Sequence, residues 1–453
     1  MRIALTVLAL FGAVCLAMGQ AVVRWQRTYS VSGYETLFAA LQHDGAGTLY
    51  LLASLRQLEG EDAVSLVRYT LRGAPLDARP YGISNGAQEE GFGLQVLPNG
   101  DCVVVCALSE PIWELGTVRP EQTTLVYYPA VGAPDFERRV NGLPTALARG
   151  DNRLFIATQT PRGQIGYVTF DSATRALQET SLPLGYGVVL DAAWEAAQGL
   201  ALGGWGGASS GRPGFYWRNN AFTSLNAPFS YVSQVQPLPN GNLVYIWGSG
   251  DQNEAWMHGP DGLQAERLTL QSAISESGEA FVYVMAQQES GYSLAFTLVR
   301  IAADTLTRQW ELPLTDFHPL LWAVDSAGSV YLLGSSPDRY EFRKVRSDGS
   351  LAWRLPANDV APLLRGARSL LPLPNGSLIV AGNLPLESDG SEMVVALIGR
   401  RGDTNGDGCV DEADLLSVIF SFGTDEFAAD LNTDGVVDDA DLLEVLFAFG
   451  SGC

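Results

Sequence analysis

Leu97-Pro98-Asn99-Gly100-Asp101-Cys102-Val103-Val104-Val105 sets a tight turn directly before a β-rich run, and the chain uses the same device twice more. Leu238-Pro239-Asn240-Gly241 precedes residues 242–246, and Leu373-Pro374-Asn375-Gly376 precedes 377–381. Proline fixes one φ, while Asn and Gly tolerate positive φ, so each tetrad favours a turn that ends where a strand begins. Weaker copies fall between: Gly47 before 48–52, Asn152 before 153–157, Gly199 before 200–203, Gly278 before 279–284, and Gly328 before 329–333.

These make eight turn-plus-strand units between Gly47 and Gly376, with a mean period of about 47 residues. A second strand follows several of them, as in Ser65–Tyr69, Thr124–Tyr128 and Thr297–Ile301, and no long stretch of 20–402 has helical periodicity. Four short strands at this period predict a mainly β fold, a β-propeller of about eight four-stranded blades, with seven the alternative. Trp-bearing segments at Gln309–Leu312 and Asp348–Arg354 read as outer blade edges. The last repeat, ending at Met393–Ile398, has no such segment of its own. Val22-Val23-Arg24-Trp25-Gln26-Arg27 supplies one at the other end of the chain, so the expectation is that the N-terminal strand completes the last blade and removes a sheet edge. The repeats resemble bacterial secreted propeller proteins, a resemblance that implies a fold and not an activity.

The N-terminus reads as a signal peptide over 1–19: Arg2, an apolar run from Ile3 to Met18, and small residues at Ala17 and Gly19 near the expected cleavage point. Val14 before Cys15 does not suit a lipid anchor, and no later segment is long and apolar enough to span a bilayer. The expected location is therefore outside the cell or at its surface. The expected domains are a propeller over 20–400 and a small all-α module over 401–453. Cys102 and Cys106, four apart in one strand, stand about 13 Å apart and read as free core residues.

The net charge of −22 is unevenly spread, because residues 403–453 hold thirteen Asp or Glu and no Lys or Arg. This excludes nucleic acid as a partner and points to cations. Asp403, Asn405, Asp407, Asp411 and Asp414 occupy positions 1, 3, 5, 9 and 12 of a loop with Gly408 at position 6. Asp430, Asn432, Asp434, Asp438 and Asp441, with Gly435, repeat the pattern 27 residues later. Calcium takes six to eight hard oxygens, and the glycine permits the turn that gathers them, so two Ca²⁺ ions are expected, with the carbonyls of Cys409 and Val436 as further ligands. Each loop runs into an apolar helix in register: Leu415, Leu416, Val418, Ile419 and Phe422 correspond to Leu442, Leu443, Val445, Leu446 and Phe449, with Gly423 and Gly450 as stops.

This duplicated pattern is similar to a type I dockerin. The resemblance implies a cohesin-like or cell-surface protein as partner, and a role in attaching secreted proteins, often polysaccharide-degrading enzymes, to scaffolds. It also implies that the module's two ends lie close together, so that Cys409 and Cys453 pair outside the cell. The chain departs from cellulosomal dockerins in having no Lys or Arg on the helices and Glu412-Ala413 and Asp439-Ala440 at loop positions 10 and 11. Arg401-Gly402-Asp403 spells an adhesion tripeptide, but the first loop already claims Asp403.

No catalytic constellation is visible, and the catalytic residues are unknown. His43, His258 and His318 lack metal-ligand spacing, and hydrolase and metalloprotease motifs are missing. Asp191, Glu195 and Asp325 are acids that a glycosidase might draw from different blades. Gly203-Gly204-Trp205-Gly206-Gly207 and Trp247 offer aromatic surface for sugar stacking, with blade packing the simpler reading. Two functions follow. One is a non-catalytic propeller that binds a protein or glycan; the alternative is a polysaccharide-active enzyme, a glycoside hydrolase or lyase, with its acids on the central face.

Overall fold

The structure is a computed structural model. It describes residues 21–451 apart from 58–61, 83–87, 110–121, 151, 207–212, 226–228, 250–253, 259–262, 276, 291–292, 338, 357–362, 364–365 and 387–389. The signal-peptide reading of 1–19 lies outside the described residues.

Eight four-stranded antiparallel sheets follow one another around a ring. Blades 1 to 7 span 35–81, 88–141, 143–181, 187–224, 230–265, 267–313 and 318–356. Blade 8 takes three strands from 367–400 and its fourth from Ala21–Tyr29. All eight turn-strand units of the sequence are the second strands of their blades. The Trp segments near 310 and 353 are outermost strands, as expected.

The second strands are apolar at consecutive positions because each is covered on both faces. Leu49, Leu51 and Ala53 pack into the core shared with blade 8, whereas Tyr50 and Leu52 pack into the core shared with blade 2. Each of the eight junctions between neighbouring blades holds its own buried cluster, so the ring closes on apolar contacts all the way round. Cys102 and Cys106 are buried in the blade 1/2 cluster as free thiols. Burial pushes the Cys102 thiol up to about 12.

Innermost strands bulge, as at Phe38/Ala40, Gly91/Gly93 and Val232/Gln234, and as the edges of their sheets they carry backbone N–H groups with no partner in the ladder. Neighbouring blades accept them. Phe38 N donates to Asn383 Oδ1 at 2.6 Å, Gly91 N to Ser54 Oγ at 2.9 Å, and Val235 N to Asp191 Oδ2 at 2.8 Å.

The N-terminal strand pairs antiparallel with Gly390–Arg400, placing Trp25 opposite Leu397 and Tyr29 opposite Met393. Trp25 is buried, and its indole N–H donates to Leu71 O of blade 1 at 2.7 Å. Gly73 is glycine partly because a Cβ there would lie 2.5 Å from the Trp25 ring. Trp25→Ala removes the packing of the strand that closes blade 8 and its hydrogen bond to blade 1. It is expected to cost about 3–5 kcal/mol in chemical denaturation of the whole protein.

Candidate calcium module and inter-blade cleft

Both acidic loops fold as the spacing implies. Gly408 and Gly435 take φ of +89° and +104°, values that a Cβ would make costly. Asp403, Asp414, Asp430 and Asp441 are buried, whereas Asn405, Asp407, Asp434 and Asp438 lie nearer the surface. Asp403 Oδ1 accepts Gly406 N at 2.6 Å and its Oδ2 accepts Gly408 N at 3.0 Å. Asp414 Oδ1 accepts Thr404 N at 2.8 Å and its Oδ2 accepts Asp411 N at 2.9 Å. The second loop repeats these contacts: Asp430 Oδ1 accepts Asp434 N, Asp430 Oδ2 accepts Gly435 N, and Asp441 takes Leu431 N and Asp438 N. Positions 9 and 12 also start the helices. Asp411 with Asp414, and Asp438 with Asp441, form capping boxes at α1 (Glu412–Phe420) and α2 (Asp439–Ala448).

Among the described residues, no three His, Cys, Asp or Glu side chains are drawn into one metal-holding cluster. The carboxylates turn instead to backbone N–H groups, while the turns that would present them to an ion are already formed. Burial pushes the Asp403 carboxyl up to about 6, against hydrogen bonds from Gly406 and Gly408, with Asp414 and Asp407 adding repulsion. Each loop nonetheless buries two carboxylates, Asp403 with Asp414 and Asp430 with Asp441, hard oxygen donors of the kind a calcium ion takes. The carbonyls of Cys409 and Val436 sit at the matching loop position of each turn.

Val410, Val418, Leu431, Val437 and Val445 form the module's own small core. Each loop pairs with the segment beyond the other helix: Val410 N donates to Ser451 O, and Val437 N to Thr424 O. The predicted apolar stripe is wider than this core needs. Leu416, Ile419 and Phe420 are 47, 48 and 81% exposed, and their counterparts Leu443, Leu446 and Phe447 are 49, 49 and 57% exposed. Cys409 is disulfide-bonded; Cys453 lies outside the described residues. Non-reducing peptide mapping is expected to find Cys409 and Cys453 in one linked peptide pair, with two free thiols there as the contrary result.

Each acid singled out from the sequence accepts backbone N–H groups. Asp191 caps Val235 N of the next blade, and burial pushes its carboxyl up to about 6. Glu195 Oε2 accepts Ala197 N and Gln198 N, and Asp325 Oδ1 accepts Ala327 N and Ser329 N, so both close turns. His258 stacks on Tyr245 at 4.5 Å and His318 meets Phe296 edge-on at 5.5 Å. Trp205 packs at 5.7 Å from Tyr186, and Trp247 stacks on Trp256 at 4.5 Å. The glycine run is a strand, not a loop, through Gly206; Gly207 lies outside the described residues. A Cβ on Gly203 would meet Val232 and Val235 within 2.7 Å, and one on Gly204 would meet Val188 O at 2.0 Å.

The aromatic surface lies elsewhere. Between blades 3 and 4 an open cleft of about 530 Å³ is lined by Tyr167, Trp194 and Trp217, with Asp171, Asn219 and Asn220 at its polar side. Trp194 stacks on Phe155 at 4.7 Å, and Tyr167 lies tilted 5.3 Å from Trp217. These rings belong to different blades and share no sequence motif, so the site was invisible before folding.

Residues 401–446 match the Dockerin type I domain. The C-terminal module is therefore a calcium-binding dockerin, joined to an eight-bladed propeller. A dockerin implies a cohesin-type partner. No curated protein matches the chain. Solved propellers are similar in fold alone. The β-propeller domain of the Trilobed protease from Pyrococcus furiosus is 10% identical, with a TM-score of 0.43 over 80% of this chain and 95% of that one. The polysaccharide lyase Uly1 is 8% identical, with a TM-score of 0.46 over 80% and 89%. The WD40 propeller domain of Doa1 is 11% identical, with a TM-score of 0.36 over 84% and 97%. Among the described residues no helix is long and apolar enough to cross a membrane.

Hydrogen–deuterium exchange of the full-length protein checks the calcium dependence of the module. Chelation is expected to remove protection from peptides across α1 and α2, and calcium to restore it, because the loop carboxylates repel one another without a cation.

Proposed function

We propose that this is a secreted, non-catalytic binding propeller, displayed outside the cell by a dockerin that holds two calcium ions. The observation that carries the non-catalytic reading is the fate of Asp191, Glu195 and Asp325. Each accepts backbone N–H groups, Asp191 from the next blade and Glu195 and Asp325 within their own turns. The ligand is a glycan, bound in the cleft between blades 3 and 4. Aromatic rings beside amide and carboxylate groups suit the apolar faces and hydroxyls of a sugar. Attachment uses the duplicated outer face of the module. Leu416, Ile419 and Phe420 on α1, with Leu443, Leu446 and Phe447 on α2, offer a cohesin-type partner an apolar surface without lysine or arginine.

Affinity electrophoresis against a panel of polysaccharides, with product analysis of the same mixtures, tests the reading. The wild-type protein is expected to be retarded by at least one polysaccharide without releasing fragments, and Trp194→Ala to weaken that retardation at least tenfold. Fragment release would establish the enzymatic alternative. Retardation unchanged in Trp194→Ala would remove the cleft from the binding site.

A further inference from the structure

The calcium module does not hang from the propeller as a free tether. It sits across blades 7, 8 and 1, the part of the ring where the two chain ends meet. The first loop lies on the Pro-Asn-Gly turn of blade 8, so closely that a Cβ on Gly376 would stand 2.2 Å from Gly406 Cα. Gly408 packs on the Trp353 ring, where a Cβ would fall 2.1 Å from Cδ1. Lys344 of blade 7 donates to Gly406 O at 2.6 Å, and Arg24 of the closing strand donates to Asp403 O at 3.2 Å.

Blade 1 holds the second loop. Arg72, in the turn that also supports Trp25, donates its Nε–H to Asp430 Oδ2 at 2.6 Å and an Nη2–H to Asp425 O. Its guanidinium lies 5.9 Å from the Phe427 ring centroid, and Phe427 packs against the blade 8/1 core. Asp430 is fully buried and occupies position 1 of its loop. Arg72 and Gly435 N both bind Oδ2, whereas Oδ1 is shared only with Asp434 N. Arg72 thus fixes the carboxylate's rotation from outside the loop, as outer partners do for metal ligands.

We infer that propeller and calcium module form one cooperative unit, in which Arg72 positions Asp430 and the seated loops lock the ring's closing seam, so that calcium binding stabilises the propeller. The inference rests on the calcium reading of the module. It follows from linkage: if the seated form of the loops is also the form that holds the ion, each event favours the other by the same factor. Arg24 strengthens the case, because its half-buried guanidinium ties the closing strand to the first loop through Asp403 O.

The chain carries its own reporter. All ten tryptophans precede residue 354, so tryptophan fluorescence follows the propeller, with Trp353, which lies against Gly408, also sensing the seating of the module. In the full-length protein the tryptophan melting midpoint is expected to rise with calcium and fall with chelator. Arg72→Met is expected to weaken one of the two calcium sites about 10–100-fold by calorimetry and to shrink the calcium-induced shift of the tryptophan midpoint. Arg72→Lys should recover part of both effects. Lys344→Met, at the other loop, should shrink the shift without removing a carboxylate partner. Calcium binding with no change in the tryptophan midpoint would overturn this inference and leave the calcium module intact. Calorimetry showing no calcium binding at all would overturn both. Arg72→Met that binds calcium like the wild type, with the full shift, would remove Arg72 from the coupling.

Discussion

Everything in this molecule depends on the antiparallel pairing of Ala21–Tyr29 with Gly390–Arg400. Seven blades are each built from four strands consecutive in the chain. The eighth exists only when residues almost four hundred positions apart come together, and it pays the largest loop-closure entropy. Trp25 answers that cost by burying its ring in the blade 8/1 core and hydrogen bonding to blade 1. The same strand carries Arg24 to the module, so the closing element of the ring is also a docking element for the calcium loops.

This arrangement divides the module into two working faces. The loops face the propeller, engaged by Lys344, Arg24 and Arg72. The helices face away and expose a duplicated apolar surface. A partner can therefore be held by the helices while the loops stay seated, which allows the propeller to be displayed in a fixed orientation rather than on a loose linker. By blade order the cleft between blades 3 and 4 lies across the ring from blades 7, 8 and 1.

The turn-strand echo, the missing outer strand and the duplicated acidic loops were legible from the sequence, because each reflects a local rule. Pro-Asn-Gly makes a turn wherever it occurs. A second strand buried on both faces is apolar along a consecutive run, so its run stands out. A calcium loop needs its oxygens within twelve consecutive residues, so its pattern cannot be dispersed. The three candidate acids and the glycine-rich Trp segment were legible only as residues. Asp191 became a cap because the innermost strand of the next blade presents Val235 N–H to it, and Gly204 is small because Val188 O passes beside it.

The sequence by itself determined the blade repeat, the order of the elements and the two acidic loops of the dockerin, since all of these are set by neighbours in the chain. Tertiary structure alone decided that Trp194 and Trp217 share a cleft with Tyr167, and that the module rests on the seam with Arg72 against Asp430. Such contacts join side chains from separate blades or from the two ends of the molecule. Their partners are chosen by the geometry of ring closure, which no local pattern encodes.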